Sequence, residues 1–593
     1  MKLSDYIVRF LVGQGVKHVF ALTGGASIHM IDSLAKAQGI EYICPQHEQA
    51  GAMMADAYSR VSDKLGVAIS TSGPGATNMI TGVCCAYYDS VPVLYITGQV
   101  ATFRLKGERG VRQLGFQETD TVNIFKNFTK YAVMVREPNR IRYELEKAVY
   151  VAQEGRPGPV VVDIPDDLQR KEINPDDLEP YVPEEKIQVN SSLDKKIDEC
   201  IKLIQKAERP VVVLGWGVRL SRSAKEALQF IESLGFPVLL SYAMRDFIPA
   251  DHPQLVGAFG SHGTRYGNFT IQNSDLVLAV GSRMDTRKSG LPTKEFARAA
   301  KKILVDIDES ELNKFKSLGM DIELTIHADC KDFFERMNKR LYKIPLPDTS
   351  AWKKQIEEWK GRFPICDPRY FKEKGLNPYV FVSKLSESLR EEDVIVSDTG
   401  FGLVWMMQAF RFKKDQRFFH AFNYTPMGYA LPASIGACFA SGKKRVLCIT
   451  GDGGLQINLQ ELSTIIRHRL PIKIFLMNNH GYSMIMHTQD QWLNSKYEAS
   501  NVEGGLGFPD FEKLALVYGF RTLTINHNAE LAERLDEVVK FDDPVFCNVE
   551  LSPDCRAIPQ VKYGRPLEDG DPLLPRDIFL KNMIVKPSDI SLE

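Results

Sequence analysis

The sequence predicts an α/β protein built from three doubly wound parallel-sheet domains, and three observations point there. Short β-branched runs alternate with amphipathic stretches almost end to end, the pattern of parallel strands covered by helices. Two stretches break the alternation: YVPEEKIQVNSS at 181–192, and 344–377, which is rich in Pro, Lys and Glu. They leave three blocks and predict bounds of 1–183, 193–343 and 376–556, with a tail at 557–593. Finally, a unit of strand, Gly-rich turn, helix, proline and strand recurs. LGVAISTSGPG at 65–75 leads to SVPVLYITG, and RVLCITGDGG at 445–454 leads to RLPIKIFLMNN. Pro92 lies 21 positions after Thr71, and Pro471 lies 21 positions after Thr450. VVVLGWG at 211–217, followed by GFPVLLS at 235–241, is a looser version. The equal spacing and the matching Gly75 and Gly454 favour duplicated domains over the general likeness of βαβ units.

Composition narrows the function classes. The 593 residues are 44% hydrophobic and 25% charged, with 74 Lys+Arg against 75 Asp+Glu and a net charge of −1. Those are ordinary globular values, with no electrostatic footprint for nucleic acid or an anionic membrane. Apolar runs are strand-sized, as in 91–97, and too short to span a bilayer. The first twenty residues are amphipathic, carry Asp5 and lack a signal-peptide h-region. The ten cysteines are scattered without a CxxC pair, which reads as reduced thiols in a cytoplasmic protein.

In chain order, the strands expected from β-branched runs are 67–70, 93–97 and 160–164 in the first block, 211–214 and 277–280 in the second, and 473–479 in the third. Before the first of these, PQHEQAGAMMADAYSR at 45–60 reads as a helix opening at Glu48. Its small apolar neighbours Ala50 to Met54 predict a buried turn, and a buried carboxylate needs a partner. In the third block, Gly451-Asp452-Gly453-Gly454 follows a strand and opens a helix. Its N–H groups suit a diphosphate. Asn478 comes 24 positions after Gly454 and is followed by Asn479. A carboxylate and an amide oxygen from adjacent strand ends, completed by phosphate oxygens, suit Mg²⁺.

With GDGG…NN and HEQ together, the sequence resembles the thiamine-diphosphate-dependent acetolactate synthase family over nearly its whole length. The resemblance implies pyrimidine-binding, central FAD/Rossmann-like and diphosphate-binding domains. It implies that Asp452, Asn479 and the carbonyl of Gly481 hold Mg²⁺, and that Gly451, Gly453 and Gly454 meet the diphosphate. Glu48 is implied as the catalytic residue, hydrogen-bonded to the cofactor's aminopyrimidine ring and promoting its imino form. TSGPGATN contributes Pro74 and Asn78. Gly24, Gly25 and Ala26 match a loop near the reacting carbonyl, and Gln117 an active-site glutamine, so Gly25 and Gln117 join the catalytic set. Met427, in MGYALPASIGA, matches the apolar residue that supports the bent cofactor, and Tyr482 and Met484 complete the contacts.

The central block resembles the family's FAD-binding pattern in FGSHGT, AVGSRMDTR and LVDID. This implies FAD contacts at Gly215, Gly217, His262, Gly263, Gly281, Arg283, Arg287, Asp306, Ile307 and Asp329, together with Arg156 of GRPGP. The implied reaction is decarboxylation of a 2-oxo acid, pyruvate first, and transfer of the two-carbon unit to a second carbonyl, in a homodimer or homotetramer whose cofactor lies between chains. Two departures keep alternatives open. Thr488 stands where branched-chain members carry Trp, beside the polar His487 and Gln489, so a keto-sugar nucleotide is a possible acceptor. Gly402 and Leu403 replace a Gln-His pair near the diphosphate. Simple decarboxylation, acyl transfer to phosphate and a catalytically silent binding subunit are the other readings, and the intact Glu48, Asp452 and Asn479 weigh against the last. The tail's Leu, Ile, Phe and Met predict that it docks.

Overall fold

The computed structural model describes residues 1–184 and 191–593, and only the backbone of Ser191 and Ser192. The 181–192 linker therefore lies partly outside the described residues. Eighteen strands form three six-stranded sheets, parallel at every pairing. The first holds β1 (His18–Ala21), β2 (Glu41–Ile43), β3 (Gly66–Ser70), β4 (Val93–Gln99), β5 (Tyr131–Met134) and β6 (Val160–Pro165). The second holds β7 (Pro210–Leu214), β8 (Val238–Leu240), β9 (Leu255–Gly257), β10 (Leu276–Val280), β11 (Lys301–Asp306) and β12 (Leu324–His327). The third holds β13 (Val394–Ser397), β14 (Arg417–Phe419), β15 (Val446–Gly451), β16 (Ile472–Asn478), β17 (Arg521–Ile525) and β18 (Val545–Glu550).

The first sheet runs β2-β1-β3-β4-β6-β5, and the third runs β14-β13-β15-β16-β18-β17. Counted within each block, both are 2-1-3-4-6-5. The repeat in the sequence is thus a repeat of topology, and β3–β4 corresponds to β15–β16. The central sheet, β12-β11-β10-β7-β8-β9, has the 3-2-1-4-5-6 order of a dinucleotide fold. Helices cover both faces, so the central strands are apolar almost throughout; β4 and β16 are buried along their full length.

The first and third domains meet backbone to backbone. Helices Glu48–Ser62 and Ala430–Ala440 approach so closely that a Cβ on Gly436 would lie 2.1 Å from the carbonyl oxygen of Met54. A buried polar cluster pins the same contact: Arg60 pairs with Asp56 and Asp89, and the Tyr429 hydroxyl donates to Asp56 at 2.5 Å.

The stretch 344–377, read as a linker, contains a 13-residue helix, Ser350–Arg362. Trp352, Ile356 and Trp359 are buried against the central domain. The tail docks there too. Phe579 is buried in the same core, and Asn582 accepts from the Trp359 indole N–H at 2.9 Å.

Candidate active site

The ends of the strands build the site in two halves. In the first domain, β3 leads into the turn 71–75. Gly73 takes φ +63°, and a Cβ on it would meet the Gln117 Cβ at 3.0 Å. Gln117 itself sits at φ 64°, a strained conformation for a residue with a side chain. The turn at Gly24 closes on the same place, since its Cβ would fall 2.5 Å from Thr71 Cβ, and Ala26 N–H donates to Thr71 Oγ1 at 3.1 Å. Gly25 is exposed, with open space where a Cβ would be.

Glu48 opens its helix, which His47 caps through Nδ1. The residues after it are buried as predicted, but Glu48 is half-buried. Its partner is Asn78, whose amide donates to Oε2 at 2.9 Å. The other oxygen would lie 3.3 Å from a Cβ on Gly75. Pro74 starts the short helix that ends at Asn78. Thus Gly24, Glu48, Thr71, Gly75, Asn78 and Gln117 gather at one sheet edge, beside the β1/β3 switch point where α/β sheets bind ligands.

In the third domain, the register pairs Gly451 with Met477, so the residues that follow leave from neighbouring strand ends. Asp452 is 2% exposed. Its Oδ1 accepts from Gly453 N–H at 2.6 Å and its Oδ2 from Gly481 N–H at 3.0 Å. Burial pushes its pKa up to about 6 against those hydrogen bonds. His480 adopts φ 56° and folds Gly481 back towards Asp452. The Asn479 amide sits with one end at Ser483 and the other 2.8 Å from the Gly481 carbonyl oxygen and 3.3 Å from Asp452 Oδ2; with its nitrogen on that side it donates to both and accepts from the Ser483 hydroxyl. Turned the other way, its oxygen would join Asp452 Oδ2 and the Gly481 carbonyl in a donor set of the kind a hard divalent cation takes. The three predicted metal ligands are therefore brought together.

Beside them, a Cβ on Gly453 would lie 2.1 Å from the Tyr482 ring and 2.8 Å from the Met427 methyl. Met484 follows in the first turn of the helix Ser483–Trp492. The helix opened by the GDGG turn is short, Asp452–Ile457.

Sequence reasoning missed two residues here. Asn458 donates to the Gly428 carbonyl at 2.7 Å and accepts from Gln49 at 3.4 Å. Asp398, in the loop after β13, is 2% exposed and accepts from Gly428 N–H. Neither sits in a motif with a chemical signature of its own.

The polar wall expected around Thr488 is not assembled as such. Thr488 is exposed and its hydroxyl donates to Met484 O of its own helix at 3.1 Å. Gln489 is buried and occupied by Glu498 O and Ser500 Oγ, at 2.8 and 2.5 Å. His487 alone keeps a ring nitrogen without a partner, its edge against Phe401 and its pKa pushed down chiefly by burial.

All three domains line a central cavity of about 330 Å³, at the lower end of the roughly 300–1,000 Å³ that ligand pockets span. Arg156, Gly217, Gly281, Arg283, Arg287, Asp306, Ile307 and Asp329 face it. It lies at the β7/β10 switch point, where a Cβ on Gly217 would come within 2.8 Å of Gly281. Glu311 and Asp308 hold Arg156 at 3.0 and 2.8 Å. Burial pushes the Asp306 carboxyl up. Gly215, His262 and Gly263 are not among its lining residues. Gly215 packs on Gly281 and Gly263 on Phe259, while His262 is buried with Nε2 unpartnered.

Comparison with known proteins identifies the same three units. Residues 1–124 match the thiamine pyrophosphate enzyme N-terminal TPP binding domain, 197–337 the central domain and 398–549 the C-terminal TPP binding domain. A probable acetolactate synthase large subunit from Methanocaldococcus jannaschii is 34% identical, covering 95% of this chain and 94% of its own. The chain belongs to the acetolactate synthase large-subunit family. The isozyme 3 large subunit of Escherichia coli is 32% identical over 95% of this chain and 97% of its own, and the large subunit of Cyanidium caldarium is 32% identical over 94% of each. Family membership makes the chain a thiamine-diphosphate enzyme of the carboligase type. Among the described residues no helix is long and apolar enough to cross a membrane.

Proposed function

We propose that the chain is an acetolactate synthase, joining two molecules of pyruvate with loss of carbon dioxide. The observation that carries this is the convergence of Asp452 Oδ2, the Asn479 amide and the Gly481 carbonyl beside the GDGG turn. Those residues would hold Mg²⁺ next to a diphosphate. Bound thiamine diphosphate supplies the carbon nucleophile and the electron sink for decarboxylation. The chain's own residues do the rest. Glu48 would share a proton with the cofactor's ring, and Asn78 fixes that carboxylate in place. Gly75 leaves the carboxylate room, and Met427 and Tyr482 give the apolar seat above Gly453. Gln117 and the Gly24–Ala26 turn border the reacting carbonyl.

The central cavity would hold FAD, for which Asp306 offers a carboxylate to sugar hydroxyls and Arg156, Arg283 and Arg287 offer positive charge to phosphates. A homodimer supplies the whole site. Both halves carry exposed apolar side chains that a second chain would cover: Phe116 on one, Ile457 and Ile485 on the other. All ten cysteines are free, which fits a reducing, cytoplasmic setting.

The test is NMR of the protein with ¹³C-labelled pyruvate, Mg²⁺, thiamine diphosphate and FAD, without another acceptor. Labelled acetolactate at steady turnover is expected. Acetaldehyde as the sole product, or no turnover with cofactor bound, would overturn the assignment. Denaturing the purified chain is expected to release flavin.

A further inference from the structure

Asp398 leaves the end of β13 as a lone buried carboxylate. Among the described residues it has no ion pair; every partner is a neutral donor. Thr399 N–H reaches Oδ1 at 2.9 Å, and Thr450 Oγ1 reaches Oδ2 at 3.1 Å. Gly428 N–H is shared between the two oxygens, at 3.1 and 3.0 Å. Oδ2 also fills the space where a Cβ on Gly454 would stand, 2.5 Å away. One carboxylate therefore touches three turns from separate strand ends: 398–400, 427–429 and 451–454.

Gly428 is held from both sides. Asp398 takes its N–H, and the Asn458 amide donates to its carbonyl at 2.7 Å. It sits at φ +83°, and a Cβ there would meet Ile457 at 2.5 Å. A glycine is needed for both reasons. Met427 hangs from this clamp, with its methyl over Gly453. Moving Gly428 by a few tenths of an ångström would move Met427 relative to the GDGG turn.

We infer that Asp398 is a positioning residue for the carboligase reaction: through Gly428 it fixes the spacing between Met427 and the Gly453–Gly454 turn. This rests on reading those turns as the cofactor's seat. Three donors make four contacts with two oxygens, and only a carboxylate offers two acceptor atoms in this shape. An amide can keep Thr399 and one bond to Gly428 on its oxygen and turn its NH₂ to Thr450, whose hydroxyl also accepts. Asp398→Asn thus leaves a foldable site with a loosened Gly428. The raised pKa of the carboxyl, pushed up by burial to about 6, fits a charge held by neutral donors alone.

The experiment uses the full chain labelled with [methyl-¹³C]methionine, with the Met427 signal assigned through Met427→Leu. In the cofactor-free chain, Asp398→Asn is expected to move that signal. Thr450→Val, which removes one donor and keeps the carboxylate, should move it in the same direction by less. Titrating thiamine diphosphate with Mg²⁺ and following the Met427 signal is expected to show affinity about tenfold weaker in Asp398→Asn. The rate per occupied site should fall as well, which a loss of stability alone would not cause. A Met427 signal unmoved by both substitutions would overturn the inference, whatever happens to activity. If Asp398→Asn does not fold, Thr450→Val decides alone. A wild-type Met427 signal that ignores thiamine diphosphate would sink the cofactor reading of the site, and the cofactor-free comparison would still judge the clamp.

Discussion

Among the carboxyl groups that burial pushes up, Asp163 and Glu461 reach about 7, and Asp398 and Asp452 about 6. Between about pH 4 and 7 the folded chain holds more protons on these groups than the unfolded chain does. Their contribution to stability therefore falls as pH rises across that window. Of the four, only Asp452 is proposed to hold a cation. Below about pH 6 its proton would compete with Mg²⁺; above that, the free carboxylate would be ready to coordinate. The rise in melting temperature caused by Mg²⁺ and thiamine diphosphate should thus be larger at pH 7.5 than at pH 5. Scanning calorimetry at the two values measures it, and an equal rise at both would count against Asp452 as the ligand. Asp452, Asn479 and Glu48 could be proposed from the sequence because each chemistry needs its residue type at a fixed place beside a strand or helix end. Asp398 and Asn458 could not. Their partners are backbone groups of Gly428, and only the meeting of separate strand ends gives them a task.

The longer elements were readable and the shorter ones were not, for a physical reason. A strand buried on both faces is a run of apolar residues, as β4 and β16 are. Three-residue strands such as β2, β8, β9 and β14 are too short to show any period. The helix Ser350–Arg362 was hidden differently. Its buried Trp352, Ile356 and Trp359 fall at helical spacing, but charged residues surround them and the stretch reads as a linker. Helix contact at the site is another matter of element geometry. Helix Ala430–Ala440 follows directly on the Met427 turn, and helix Glu48–Ser62 begins at the carboxylate proposed as catalytic. Their closest approach is at Gly436, against Met54 O. Gly436→Ala has no flexible side chain to push aside and must separate the helices. A loss of about 1–3 kcal/mol is expected, the usual cost of overpacking. Urea unfolding measures it. A variant as stable as the parent would show that the helices can slide, and then the two halves of the site are less rigidly joined than the contact implies.

At the scale of the whole molecule, the chain carries the same 2-1-3-4-6-5 sheet twice, with Glu48 on one copy and Asp452 on the other. Among the described residues no hydrogen bond joins the Glu48–Asn78 group to the Asp452–Asn479 group within the chain. Exposed Phe116 adjoins Gln117 in the first half, and exposed Ile457 and Ile485 adjoin Asn458 and Met484 in the second. A twofold dimer would set each apolar rim against the other and complete two sites at once. Mixing variants tests this directly. Glu48→Gln should lose at least about 100-fold in activity, the lower end of what an acid–base group contributes, and Asp452→Asn should lose activity by weakening the metal's hold. If sites form between chains, a mixed dimer has one site with both substitutions and one with neither. Random re-pairing makes half the dimers mixed, so unfolding and refolding the two variants together should restore roughly a quarter of the parent activity. Sites within one chain would leave the mixture as inactive as its components. In that case the exposed apolar rims would need another explanation, and Glu48 would have to reach the GDGG turn of its own chain.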